Sequence, residues 1–153
     1  MEKVTSADGT AIAYDRLGDG PPVVLVCDSS VDRVSNAGLA ALLAQNFTVY
    51  NYDRRGCGDS GDGAECAIEH EIEDLDAIFA AIGGSAHLCG TSSGADLAVL
   101  ATAAGRPVTK LALCEPLGGT TELPPEAATI AIPTRVFTGP PTALAPALKE
   151  FFA

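Results

Sequence analysis

The chain has 153 residues, 47% of them apolar, and a formal charge of −11 from nine Lys and Arg against twenty Asp and Glu. That length makes one domain spanning 1–153, able to bury roughly 70% of its unfolded surface in a single core. So acidic a chain excludes nucleic acid and anionic membranes as partners, because both require a basic face; no run approaches the ~20 apolar residues of a membrane span.

After Met1-Glu2-Lys3 the chain goes directly into strand-like sequence with no secretory signal, so a cytoplasmic protein with reduced thiols is expected. Lys3 to Ser6 and Thr10 to Leu17 read as two strands joined at the hairpin pair Asp8-Gly9. Gly18 to Pro21 is a turn, and Pro22 to Cys27 is a continuous apolar run, the mark of a strand covered on both faces. Asn36 to Gln45 carries Leu39, Leu42 and Leu43 at helical spacing, and Phe47 to Asp53 alternates like a strand. The clearest helix is Glu65 to Ile82, with Ile68, Ile72, Leu75, Ile78, Phe79 and Ile82 on one stripe, carboxylates opposite, and Gly83-Gly84 as its stop.

Ala86 to Cys89 is a short buried strand, and Ser93 to Ala104 a helix ended by Gly105 and Pro107. Between them Gly90-Thr91-Ser92-Ser93-Gly94 spells G-x-S-x-G, a sharp strand-to-helix turn that raises a serine above a parallel sheet. Strands at Lys110 to Cys114 and Thr134 to Thr138 follow, separated by a loop at 115–133 with one helical turn near Glu126 to Ala128. Thr142 to Phe152 closes the chain as a short helix. Strands alternating with helices at this spacing predict a three-layer α/β core of about seven mostly parallel strands, with helices on both faces and only the first pair antiparallel.

The series Asp8-Gly9-Thr10, Gly20 to Val26, Tyr52-Asp53-Arg54-Arg55-Gly56, Gly58-Asp59-Ser60 and Gly90 to Gly94 resembles the α/β-hydrolase superfamily, in order through about residue 116. Ala143 to Phe152 is similar to the last helix of that fold. The resemblance implies strand order 1-2-4-3-5-6-7 and a site at the carboxyl ends of the parallel strands. It also marks departures. The stretch between residue 116 and the last helix is much shorter than in the family, and the cap domain, the eighth strand and the histidine loop are expected to be absent. The only histidines, His70 and His87, both precede Ser92, and both are expected at the surface, away from the serine. Where the family usually has His-Gly shaping the oxyanion hole, this chain has Cys27-Asp28, whose carboxylate would repel a developing oxyanion.

The candidate site residues are therefore Ser92 as nucleophile, Glu115 at the end of the sixth strand as acid or base, and Asp28, Ser93 and Cys27 around the oxyanion pocket. The plainer reading of Ser92 is a turn kept because the strand–helix junction needs it. Arg54 and Arg55 are expected to pair with Asp53 or Asp59 and hold their loop. Five cysteines (Cys27, Cys57, Cys66, Cys89, Cys114) form an odd set without a C-x-x-C pair, so no disulfide framework, metal site or cofactor is expected. Cys27, Cys89 and Cys114 end neighbouring strands and read as small buried hydrophobes, with a thiol site around Ser92 as the alternative.

Two functions follow. One is a serine esterase or acyl hydrolase working through Ser92 with an incomplete triad. The other is a non-hydrolytic protein that binds a small molecule, or assists a biosynthetic step, in the remodelled pocket. Loss of the eighth strand makes the seventh an edge, which predicts a homodimer through that edge or an edge covered by another segment.

Overall fold

The computed structural model describes residues 1–63, 67–115 and 125–153. Cys66, the expected helix start at Glu65 and the middle of the Gly/Thr/Pro-rich loop, 116–124, lie outside the described residues. The described strands are β1 (Glu2–Thr5), β2 (Ala11–Leu17), β3 (Pro22–Val26), β4 (Thr48–Tyr52), β5 (Ala86–Thr91), β6 (Val108–Cys114) and β7 (Thr134–Phe137). They form one sheet in the order β1-β2-β4-β3-β5-β6-β7, as expected. The sense of one pairing differs. β2 runs antiparallel to β4 as well as to β1, and every pairing from β4 to β7 is parallel. The cause is the short turn at 18–21, which reverses the chain between β2 and β3. β4 runs with β3, so it opposes β2 when it slots between them.

Among the described residues four α-helices cover the sheet: α1 (Ala37–Leu43), α2 (Ile68–Ile82), α3 (Ser93–Ala103) and α4 (Ala145–Phe152). The period-2 alternation of the strands divides the core into two. Val24, Val26, Leu111 and Leu113 pack with Ile72, Leu75, Ile78 and Phe79 of α2 and Leu97 and Val99 of α3. Val23, Leu25, Ala112 and Cys114 pack with Leu39 and Leu43 of α1 and Leu148 and Phe152 of α4. The result is helix, sheet and helix in three layers.

Helix α2 follows its apolar stripe from Ile72 onward and ends at Gly83, whose left-handed φ of 90° lets its N–H bond the Phe79 carbonyl. Two features depart from the stripe. Ile68 is 37% exposed, while Glu71 and Asp74 on the polar side are buried. Burial of carboxylates is tolerable only where they are paired, and both meet arginines from the loop after β4. Arg54 binds Glu71 through Nε and Nη2, at 2.7 and 2.9 Å. Arg55 binds Asp74 at 2.7 and 2.6 Å and reaches Asp8 at 2.9 Å. The expected pairing of these arginines with Asp53 or Asp59 is corrected. Arg33 takes those partners, joining Asp53, Asp59 at 3.0 Å and Asp15 at 2.8 Å.

Candidate active site at the serine turn

β5 ends at Thr91 and α3 begins at Ser93, so Ser92 alone makes the turn, with φ 54° and ψ −125°. A positive φ at a residue with a Cβ costs ~1–3 kcal/mol and persists only where the surroundings hold it. Here the Ser92 N–H donates to the Cys114 carbonyl at 3.0 Å, tying the turn to the end of β6. The glycines on either side are steric requirements. A Cβ on Gly90 would lie 2.5 Å from the Gly94 carbonyl oxygen, and one on Gly94 would lie 2.6 Å from the Cys27 carbonyl oxygen. No real Cβ sits that close, so α3 can approach β3 and β5 this tightly only without side chains at those positions.

The β3–β5 register sets Val26 beside Gly90, which brings the residues after β3 alongside the turn. Asp28 is half-buried there. Its Oδ1 accepts from the Ser30 N–H at 2.8 Å and the Ser30 hydroxyl at 2.7 Å. Its Oδ2 accepts from the Ser93 N–H over a longer 3.4 Å. The neighbouring Ser92 hydroxyl and the Ser30 donors hold Asp28 well below the usual carboxylate range. Asp28 therefore stands as an anion beside the serine turn.

Beneath the turn lies a cation that the sequence reading assigned elsewhere. Arg54 Nη1 donates to the Cys27 carbonyl at 3.2 Å and to the Ser93 hydroxyl at 3.3 Å. That hydroxyl also accepts the Ser29 N–H at 2.9 Å. The end of β3, the start of α3 and, through Glu71, the first turn of α2 are thus joined on one guanidinium. The partners of Arg54 escaped sequence reasoning because Glu71 lies 17 residues away; a carboxylate interrupting the polar side of α2 one residue before Ile72 was the available signal.

Glu115, the other expected acid, follows Cys114 and so adjoins the turn through the backbone. Its own φ is 48°. Its exposed carboxylate accepts the Gly139 N–H and bridges the loops after β6 and β7. The three strand-end thiols do not form one cluster. Cys89 and Cys114 Sγ atoms lie 3.8 Å apart on the α1/α4 face. Cys27 Sγ instead faces the carbonyls of Val31 and Tyr52, at 3.9 Å each. Burial pushes the Cys27 thiol up to about 11, and contact with Cys114 together with burial raises Cys89 well above the ordinary thiol range. Thiols held protonated in this way are poor nucleophiles and poor metal ligands.

Neither histidine joins the serine by any contact among the described residues. His70 on α2 bonds Glu73 at 3.4 Å. His87 is the second residue of β5, about 16 Å of strand from Ser92 at the usual rise, and is less exposed than the sequence suggests. Its ring stacks on Phe152 at 4.9 Å, and Nδ1 meets the Thr109 hydroxyl at 2.8 Å. Beside the turn, Asp96, Val99 and Leu100 of α3 line a cleft of about 170 Å³ with Glu126 from the 3-10 turn Pro125–Thr129. Burial, with Glu126 opposite, raises Asp96 above the ordinary carboxylate range.

Comparison with known proteins agrees with this architecture. Residues 23–153 match the Alpha/beta hydrolase family. An alpha/beta hydrolase from Sphaerobacter thermophilus DSM 20745 is 51% identical, over 84% of this chain and 51% of that one, with a TM-score of 0.73. The bottromycin epimerase BotH, solved in complex with bottromycin A2, is 30% identical over 73% of this chain and 47% of its own, with a TM-score of 0.68. A protein of Mycobacterium tuberculosis described as the probable oxidoreductase EphD is 37% identical over 81 residues, half of this chain but 14% of its own length. The chain spans about half the length of the solved relatives and far less of the curated one.

Proposed function

Because the chain belongs to the alpha/beta hydrolase family, we propose that it takes a small molecule carrying an ester or related acyl group at the carboxyl-end rim of the sheet, and transfers or hydrolyses that group through Ser92. The observation that carries this reading is the turn itself. Ser92 occupies a strained, positive-φ position between glycines that no side chain could replace, and such strain is kept where a side chain must be presented. With no imidazole on the serine, turnover is expected to be slow.

One observation favours a second reading, a non-hydrolytic protein that binds a small molecule in the same place. Asp28 accepts the Ser93 N–H, a donor that an acyl oxygen would otherwise use. The similarity to the bottromycin epimerase BotH supports the idea that this fold carries more than ester cleavage. Labelling with a fluorophosphonate, read by intact mass, separates the two. The acyl reading expects one adduct on the wild-type protein and none on Ser92→Ala. A folded wild-type protein without adduct leaves the binding reading. No helix among the described residues is long and apolar enough to cross a membrane, and the acidic surface is unsuited to nucleic acid.

A further inference from the structure

The acyl reading leaves open what holds the backbone donors at the serine turn in place. We propose that Arg54 does so, as a positioning residue for acyl transfer at Ser92 that acts through the Cys27–Asp28 peptide and Ser93. This inference rests on the acyl reading and gives a side chain outside the turn a part in its chemistry.

Glu71 sets the direction of the guanidinium. Nε and Nη2 donate to the two carboxylate oxygens at 2.7 and 2.9 Å, a forked pair that fixes the plane of the group. Nη1 is the nitrogen left over, and it donates to the Cys27 carbonyl at 3.2 Å and to the Ser93 hydroxyl at 3.3 Å. That hydroxyl is a knot of three bonds. It accepts from Arg54 and from the Ser29 N–H at 2.9 Å, and gives its own proton to the Ser29 hydroxyl at 3.3 Å. Arg54 thus grips both walls of the turn, the chain leaving β3 and the first residue of α3.

Each grip governs a backbone donor. In a planar trans peptide the carbonyl and the N–H point in opposite directions, so a Cys27 carbonyl held on Nη1 fixes where the Asp28 N–H points. That N–H has no acceptor among the described residues. The Ser93 N–H has only the long 3.4 Å contact with Asp28 Oδ2. Both are available to a developing oxyanion, and donors fixed in advance need no reorganisation as its charge appears. The two walls also touch, since a Cβ on Gly94 would lie 2.6 Å from the Cys27 carbonyl oxygen. Arg54 is only 5% exposed, so it holds them from beneath without meeting substrate. A buried ion pair is a costly way to fill a core, and apolar side chains of like size often do as well. What the guanidinium adds is direction.

Fluorophosphonate labelling tests this, with the maximal rate and the half-saturating probe concentration measured separately. The proteins are the wild type, Arg54→Met, Arg54→Met with Glu71→Leu, and Ser93→Ala, and a urea melt gives the stability of each. Arg54→Met strands a buried carboxylate and is expected to lose both stability and rate. The double variant is expected to regain most of the stability, while its maximal rate stays on the order of 10²-fold below wild type at a similar half-saturating concentration. Ser93→Ala cuts one strap and leaves the ion pair whole, so its maximal rate should fall about tenfold with little change in the melt. A maximal rate that recovers along with stability in the double variant overturns the proposal and leaves Arg54 to the core. So does a loss confined to the half-saturating concentration, which reports weaker binding alone. If the double variant does not fold, Ser93→Ala decides, and a wild-type rate there overturns the proposal. Absence of any wild-type adduct sinks the acyl reading itself, and this inference with it.

Discussion

Arg54 and Arg55 are neighbours in sequence, yet each side chain finds its carboxylate on a different turn of α2. Both pairs are buried, and removing one member of a buried pair costs about 3–5 kcal/mol, because the remaining charge keeps its desolvation penalty. Glu71→Ala is therefore expected to lose about that much in urea-melt stability, whereas the double change Arg54→Met with Glu71→Leu loses clearly less. The serine turn itself was readable from five residues, since the crowding that demands glycine at positions 90 and 94 is local. The position of Asp28 was readable too, by its distance along the chain from an apolar strand. The donors that hold it were not. Ser30 reaches back through a turn, and the Ser93 N–H arrives from 65 residues away in sequence. Arg54 was misassigned for the same reason, as nearby aspartates in the chain seemed the natural partners but Arg33 had taken them.

At the scale of elements, α4 and the start of β5 form an aromatic layer below the sheet's α1/α4 core. His87 stacks on Phe152, Phe47 meets both rings edge-on at 6.2 and 6.0 Å, and Lys110 extends past the layer to the carbonyls of Phe151 and Ala153. Burial, with Lys110 adding repulsion, lowers the proton affinity of His87 below its ordinary value. Folding thus favours the neutral ring. That contribution is complete above about pH 6.5, where the unfolded ring is also neutral, and is lost as the pH falls below it, because the unfolded chain then binds a proton that the folded one resists. The melting temperature of the wild type should accordingly drop more between pH 8 and pH 5 than that of His87→Phe; equal drops would remove His87 as the cause. Strand and helix identities followed from periodicity, and the sheet order from the family resemblance. The sense of the β2–β4 pairing did not follow, since it depends on a short turn stepping over a strand that comes later in the chain.

For the whole molecule, two strands bound the sheet, and among the described residues β7 pairs only with β6. β7 is four residues long with Arg135 exposed, features that restrain edge pairing without abolishing it. We expect a weak homodimer through this edge, seen as a scattering mass that falls towards the monomer on dilution; a mass that stays monomeric at every concentration would rule it out. The guanidinium beneath the turn carries a different implication. β3, α2 and α3 are separate elements, yet Arg54 reaches all three: the Cys27 carbonyl just after β3, the Glu71 carboxylate and the Ser93 hydroxyl. A contact that tilts α2, whose exposed Ile68 begins the helix one turn before Glu71, would pull on the same guanidinium that holds the Cys27 carbonyl and the Ser93 hydroxyl. Loosening that joint by Glu71→Ala would accordingly be felt at the start of α3 as well as in α2.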